Sequence, residues 1–380
     1  MHDYIQRMRE TLHQNPEVAF AEHKTAELVA SELRKLGFTV KTGVGKTGVV
    51  GTLSFGGEGP CVAVRADMDA LPIEETTGAD FSSQHSGVMH ACGHDTHTAI
   101  ALGICAYLAE HKEQFNGSVM AIFQPAEEIV AGAKAMLDDG LFSEVKPDVL
   151  FALHNWPSIP TGTIGVQPGP VTSFADRFAV VFRGVGGHGA FHHQTKDPIA
   201  MASMGIQASF SLVQRRTGLA PRALSFGKIQ GGSSFNIIPE EVELEGTVRT
   251  VSLEQQEEMI SLLHQAFRSA AELYGGSYSL VYRKGVPATM NDEGVCRRVI
   301  EVIHRELPEM PIVTDGLATL AGEDVSYFLQ EVPGALLFFG TQEEGAVNQL
   351  HNPGYLPSHE AVMGGFKALL AVVTDYLKAR

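Results

Sequence analysis

Apolar residues recur at helical spacing through Ala26, Val29, Leu33 and Leu36, which predicts a helix over Ala21–Leu36 ended by Gly37. Two strand-like runs follow, Val49–Phe55 and Cys61–Ala66. The pattern then alternates: helix Asp95–His111, strand Ser118–Phe123, helix Ala131–Asp138, strand Val149–Leu153. The strands read as near-continuous apolar runs, as strands covered on both faces do. Alternation of such strands with helices predicts an α/β domain with a mostly parallel central sheet.

The rhythm changes after Phe174. Strand Arg177–Arg183, helix Pro198–Arg215, strands Ala223–Ile229 and Glu241–Arg249, helix Leu253–Tyr274 and strand Tyr278–Arg283 give the order β-α-β-β-α-β. That order predicts a ferredoxin-like α+β sandwich. Helix Gly294–Arg305, strand Ala335–Phe339 and helix Glu360–Leu377 then resume the first style. The expected organisation is a discontinuous domain of residues 1–172 and 288–380, with a smaller domain, 173–287, inserted into it. Repeats, low-complexity stretches and charge blocks are absent.

Composition narrows the function. A chain of 380 residues exceeds what one small core supports, in line with two domains. The formal net charge of −16 excludes a nucleic-acid partner, which would need a basic surface. No apolar run reaches the length of a membrane span and no secretory leader is evident, so a cytoplasmic protein without membrane partners is expected. The four cysteines, Cys61, Cys92, Cys105 and Cys296, form neither a CxxC pair nor a disulfide framework. Only Cys92 has polar, ligand-type neighbours.

Candidate chemistry gathers where the predicted strands end. In open α/β sheets, ligands bind beyond the carboxyl ends of the strands. Asp67 and Asp69 follow one strand, Glu127 and Glu128 a second and His154 a third, and His351 falls in a Gly/Pro/Asn loop past the last. Cys92-Gly93-His94 precedes a helix, and a thiol with an imidazole at that spacing suits Zn, Mn, Co or Ni. Singly, each residue has a structural reading: Asp69 as a turn cap, Glu127-Glu128 as an acidic first helical turn, His154 as a core histidine. Adjacent glutamates on a loop can diverge, one binding metal while the other takes a proton.

Several segments resemble one family. Asp67-Met68-Asp69-Ala70-Leu71-Pro72, Met89 to Asp95, Phe123-Gln124-Pro125-Ala126-Glu127-Glu128 and Gly186-Gly187-His188-Gly189-Ala190 are similar to signatures of metal-dependent amidohydrolases. That family includes hippurate hydrolases, bacterial N-acyl-amino-acid aminoacylases and plant indole-acetyl-amino-acid hydrolases. His13 to Glu17, Asn236 to Pro239, Gly246 to Arg249 and Gly322-Glu323-Asp324 extend the likeness over nearly the whole chain. The resemblance implies two divalent ions on Cys92, His94, Glu128, His154 and His351, with Cys92 bridging and Glu127 as general base. It implies that His188 polarises the scissile carbonyl, from its own or a partner subunit, and that Asn236 and Arg249 hold the substrate carboxylate. Asp69 is assigned to orienting a ligand imidazole. The inserted domain would be a lid and dimerisation surface of a dimer or tetramer. One departure stands out: His192 occupies the place where relatives carry proline.

The function expected is hydrolysis of N-acyl amino acids, acetyl, benzoyl or similar, to a carboxylate and a free amino acid. A dipeptidase or carboxypeptidase on the same site is the nearest rival. A hydrolase using Cys92 as nucleophile, with His94 or His154 as base, would leave the paired glutamates without a role. An inactive binding scaffold would leave the whole donor set without one.

Overall fold

The computed structural model describes residues 1–216 and 221–378. Its elements in chain order are α1 (His2–Gln14), α2 (His23–Lys35), β1 (Thr39–Val44), β2 (Gly48–Gly56), β3 (Cys61–Asp67), α3 (His94–Glu110), β4 (Gly117–Gln124), α4 (Gly132–Asp138) and β5 (Val149–Pro160). Next come β6 (Phe174–Arg183), α5 (Pro198–Arg216), β7 (Arg222–Gly231), β8 (Glu241–Thr250), α6 (Leu253–Leu273) and β9 (Ser277–Val286). The chain closes with α7 (Glu293–Glu306), α8 (Val325–Glu331), β10 (Gly334–Gln342) and α9 (His359–Leu377), with shorter pieces between these elements.

The chain divides into two compact units. The first comprises Met1–Val171, Thr289–Leu317 and Asp324–Arg380; the second comprises Thr172–Ala288 and Ala318–Glu323. The segment Ala318–Glu323, expected with the larger part, packs instead with the insert. The Ser173 hydroxyl donates to the carbonyls of Leu320 and Ala321.

In the first unit the sheet runs β1-β2-β4-β3-β5-β10 and ends in two two-residue strands, Ile164–Gly165 and Ile312–Val313. The four central strands β4, β3, β5 and β10 are parallel. By contrast, β1 and β2 are antiparallel additions at one edge. Successive residues of each parallel strand enter opposite cores, because side chains alternate across a sheet. Val64, Phe123, Phe151 and Leu337 point into one core, and Ala63, Ile122, Leu150 and Leu336 into the other. Each Val, Leu, Ile or Phe among them contributes about 1.5–3 kcal/mol when fully buried. Beyond its polar first turn, helix α3 is apolar on every face from Ala99 to Leu108, and it packs against α1, α9 and the sheet. Gly103 permits the α1 approach, since a Cβ there would meet Ile5 at 2.7 Å. No helix among the described residues is long and apolar enough to cross a membrane.

The second unit is a four-stranded antiparallel sheet ordered β7-β8-β6-β9. Helices α5 and α6 cover one face, burying Phe178, Phe182, Leu244, Val248, Met201 and Phe267. Numbered by their order within this unit, the strands run 2-3-1-4, the ferredoxin-like arrangement that the β-α-β-β-α-β pattern predicts.

Candidate metal centre

The carboxyl ends of the parallel strands bring the expected donors together. Cys92, His94 and His154 form one group whose ligand atoms all lie within 4.8 Å of one another; Cys92, Glu128 and His351 form a second. Cys92 belongs to both groups, and His94 also to a third with Glu127 and Glu128. The Cys92 Sγ lies 3.6 Å from His154 Nε2. His351 Nε2 lies 3.4 Å from Glu128 Oε2, and His94 Nε2 lies 3.8 Å from Glu128 Oε1 and 3.9 Å from Glu127 Oε2.

Each donor is placed by identifiable local structure. Gly93 stands at the N-cap of α3 with φ +81°, and a Cβ there would collide with the Asn155 amide. Glycine therefore lets Cys92 and His94 flank a left-handed residue and face one point. His94 Nδ1 donates to the Asp69 carbonyl at 2.8 Å, and His154 Nδ1 donates to the Asn155 carbonyl at 2.7 Å. Both rings thereby turn Nε2 toward the cluster, as metal-binding imidazoles do. The sequence predicts a strand ending at Leu153, but β5 continues to Pro160 because β10 pairs with it past Phe338↔His154. His154 therefore projects from a strand. His351 has φ +59°, a costly backbone state for a non-glycine residue.

The turn carrying Glu127 and Glu128 is held by two buried carboxylates. Asp69 Oδ1 and Oδ2 accept the backbone N–H groups of Glu127 and Glu128 at 3.0 Å each. Glu22 Oε1 accepts the N–H of Ala126, which has φ +52°, at 2.8 Å. Asp69 also faces the His94 ring, its carbonyl 2.8 Å and its Oδ1 3.4 Å from Nδ1, while both carboxylate oxygens hold the glutamate turn. Glu22 was not legible as a site residue, because it reaches a backbone amide 104 positions away.

Asp67 is committed elsewhere: Arg65 donates to it at 2.8 Å and His97 Nδ1 at 2.6 Å. Arg65, fully buried, also reaches Gln124 and Asp324. The chemistry of the donors fits divalent ions. Among the described residues His94 Nε2 and Glu128 Oε1 are buried without a hydrogen-bond partner, which costs free energy unless another ligand satisfies them. Burial pushes the Cys92 thiol well above its ordinary range, and the Glu128 charge adds to this. Burial also pushes Glu128 up to about 7 against the pull of His94. The same burial, with the His97 charge, holds His154 far below the usual histidine range and therefore neutral. A divalent cation reverses the penalty on the thiolate and carboxylate.

A model of Peptidase family M20/M25/M40 matches residues 63–375. The chain belongs to this family. It is 38% identical over 361 residues to the N-acetyl-L-cysteine deacetylase of Bacillus subtilis, covering 94% of this chain and 84% of that one. It is 36% identical to thermostable carboxypeptidase 2 of Saccharolobus solfataricus, over 97% of this chain and 95% of the relative. A dinuclear metal-binding M20-family peptidase of B. subtilis superposes with a TM-score of 0.85 at 32% identity, covering 98% of both chains. This M20-family chain is accordingly a metal-dependent amidohydrolase.

The remaining expected residues lie in the second unit of the M20-family chain, where His188 and Asn236 come together and Arg249 stands apart. Gly187-His188 pairs with Ile237-Ile238, which sets His188 beside Asn236; the Asn236 carbonyl accepts the Gly189 N–H at 2.9 Å. His188 Nδ1 accepts the Ala190 N–H at 3.1 Å, so its proton sits on Nε2, free to donate. His192 and His193 occupy the exposed turn that follows. Arg249 is opposite Ala175 at the start of β6, whereas His188 lies beyond Arg183 at its end. About 26 Å of strand separates them. Strand register thus puts Asn236 and Arg249 of one chain at opposite ends of the sheet.

Proposed function

We propose that this protein hydrolyses the amide bond of N-acyl amino acids, such as acetyl or benzoyl derivatives, releasing a carboxylic acid and an amino acid. The observation that carries the reading is the membership of Cys92 in two donor groups, with the Glu127 carboxylate 3.9 Å from His94 Nε2 beside them. Cys92, His94, Glu128, His154 and His351 would hold two divalent ions, Zn, Mn, Co or Ni, which supply a Lewis acid for the carbonyl and acidify water. Glu127 takes a proton from the attacking water as its hydroxyl joins the acyl carbon. The same carboxyl returns that proton to the leaving nitrogen as the C–N bond breaks. His188 donates through Nε2 to the oxygen on which negative charge develops. Arg249 offers a bidentate fork to the substrate carboxylate.

One small substrate cannot reach His188 and Arg249 of the same chain, so the two residues serve one site only if different chains supply them. This supports a homo-oligomer with the insert as lid and dimerisation surface. Strand β7 is a sheet edge carrying exposed Ile229, which suits such contact. Chelation should abolish hydrolysis and reloading should restore it, with two ions per chain in fully active protein. Activity indifferent to a chelator would return the reaction to a Cys92 nucleophile. Preference for peptides over acyl amino acids would favour the carboxypeptidase reading, which the S. solfataricus relative's name supports.

A further inference from the structure

The open face of the inserted sheet separates its charges unevenly. Towards one end every cation has a carboxylate: Lys228 pairs with Glu243 and Glu245, and Arg183 with Glu241. At the other end stand Arg177, Arg249 and Arg283. Arg177 and Arg283 are directly opposite in the β6–β9 register. Thr247 is opposite Arg177 on the other side, which puts Arg249, two residues on, diagonally beside it on the same face. Arg249 is half-buried, and burial together with the Arg177 charge disfavours its protonated form. None of the three has a hydrogen bond or ion pair among the described residues. Asp176, the nearest acid in sequence, points to the helix-covered face, where Gln256, Tyr282 and the Gly285 amide occupy it.

Like charges directly opposite on a sheet destabilise it. Three such guanidinium groups in a chain of net charge −16 form a concentrated local exception to its acidity. A single substrate carboxylate fills one bidentate fork and leaves two unmatched.

We infer that Arg177 and Arg283 extend the Arg249 carboxylate site into a subsite for a second carboxylate, so that the preferred substrates are N-acyl derivatives of acidic amino acids. The inference rests on the proposed N-acyl amino acid hydrolysis and on Arg249 as its carboxylate anchor. Arg249 would take the α-carboxylate and the Arg177–Arg283 pair the side-chain carboxylate, whose charge relieves their mutual repulsion.

The test compares N-acetylglutamate with its neutral isostere N-acetylglutamine on the metal-loaded full-length enzyme. The expected result is a kcat/KM ratio of about tenfold or more in favour of glutamate, carried by KM and shrinking as salt is raised. In R177Q/R283Q the ratio should fall toward one. A second readout avoids turnover: N-acetylglutamate should raise the melting temperature of wild-type protein more than N-acetylglutamine does, and the double variant should lose that difference. Equal hydrolysis of both substrates by wild type, or an unchanged ratio in the double variant, overturns the subsite and leaves the parent reading standing. Hydrolysis of neither substrate, nor of acetyl- and benzoyl-alanine, overturns the parent reading and the subsite with it.

Discussion

Asp69 binds Glu127 through the backbone: its Oδ1 accepts the Glu127 N–H at 3.0 Å while its Oδ2 accepts that of Glu128 at the same distance. The ordering of both glutamates thus depends on a carboxylate that touches neither side chain. An amide at position 69 keeps one acceptor and turns an NH2 group against the other N–H. Asp69→Asn should therefore lower both kcat and metal affinity by about 10- to 100-fold. Glu22→Gln retains an acceptor for the Ala126 N–H and should have a smaller effect on both. Metal titration with a competing chelator, alongside steady-state kinetics, checks this pair, and wild-type values for Asp69→Asn would remove the proposed hold.

Glu127 and Glu128 differ in what their loss should do. Glu127→Gln keeps the donor set and should retain metal content while kcat falls by about 10²–10⁴-fold. Glu128→Gln removes a charged donor from the group formed with Cys92 and His351, and should release metal as well as activity. Metal analysis of the two purified variants separates the roles. Full turnover in Glu127→Gln would exclude it as the base.

Much of this architecture was legible in the chain. Alternating helices and apolar runs gave the parallel core, and the order of elements after Phe174 gave the ferredoxin-like insert. Glu128 and His154 drew notice because carboxylates and imidazoles recur near strand ends, and the resemblance to metal-dependent amidohydrolases joined Cys92, His94 and His351 to them as expected ligands. What escaped has physical reasons. Strand β1 is an exposed edge whose side chains show no apolar alternation, so periodicity had nothing to register. The antiparallel direction of β1 and β2 is a long-range property of pairing, absent from any local pattern. Asn236 and Arg249 are only 13 positions apart in sequence, and only the register of β8 against β6 reveals that they face different ends of the sheet. Glu22 and Asp69 act on backbone amides, which leave no residue signature where they are bound.

Separation of His188 from Arg249 along β6 leads to a mixing experiment. If His188 serves the site of a partner chain, co-expressing Glu127→Gln chains with His188→Ala chains creates hybrids with one intact site. A His188 acting within its own chain leaves every hybrid site defective. Random pairing of the two inactive chains should restore roughly a quarter of wild-type activity if the assembly is a dimer. No recovery in hybrids shown to have formed would place His188 in its own chain's site or outside the reaction.

His13 ties α1 to the start of α3, where His94 lies, and it makes stability depend on pH. Its Nδ1 lies 3.0 Å from Asp95 Oδ2 and its Nε2 lies 3.2 Å from Glu75 Oε1, all three side chains being nearly inaccessible. Burial opposes the imidazolium, yet the charges and hydrogen bonds of Asp95 and Glu75 outweigh it and raise His13 to about 9. Glu75, resisting burial through His13, Thr77 and the Ser83 amide, is lowered to about 2. A histidine whose folded pKa exceeds its unfolded value of about 6.5 contributes stability that is complete below pH 6.5. That contribution, about 3 kcal/mol, disappears as pH rises through 9. Glu75 titrates the other limb, its share being complete above about pH 4.5 and lost as pH falls through 2. Both limbs report one interaction, so their energies do not add. Urea midpoints of wild type should therefore decline between pH 6.5 and 9.5, and those of His13→Gln should start lower and decline less over that range. Parallel curves for the two proteins would show that His13 is neutral in the folded state.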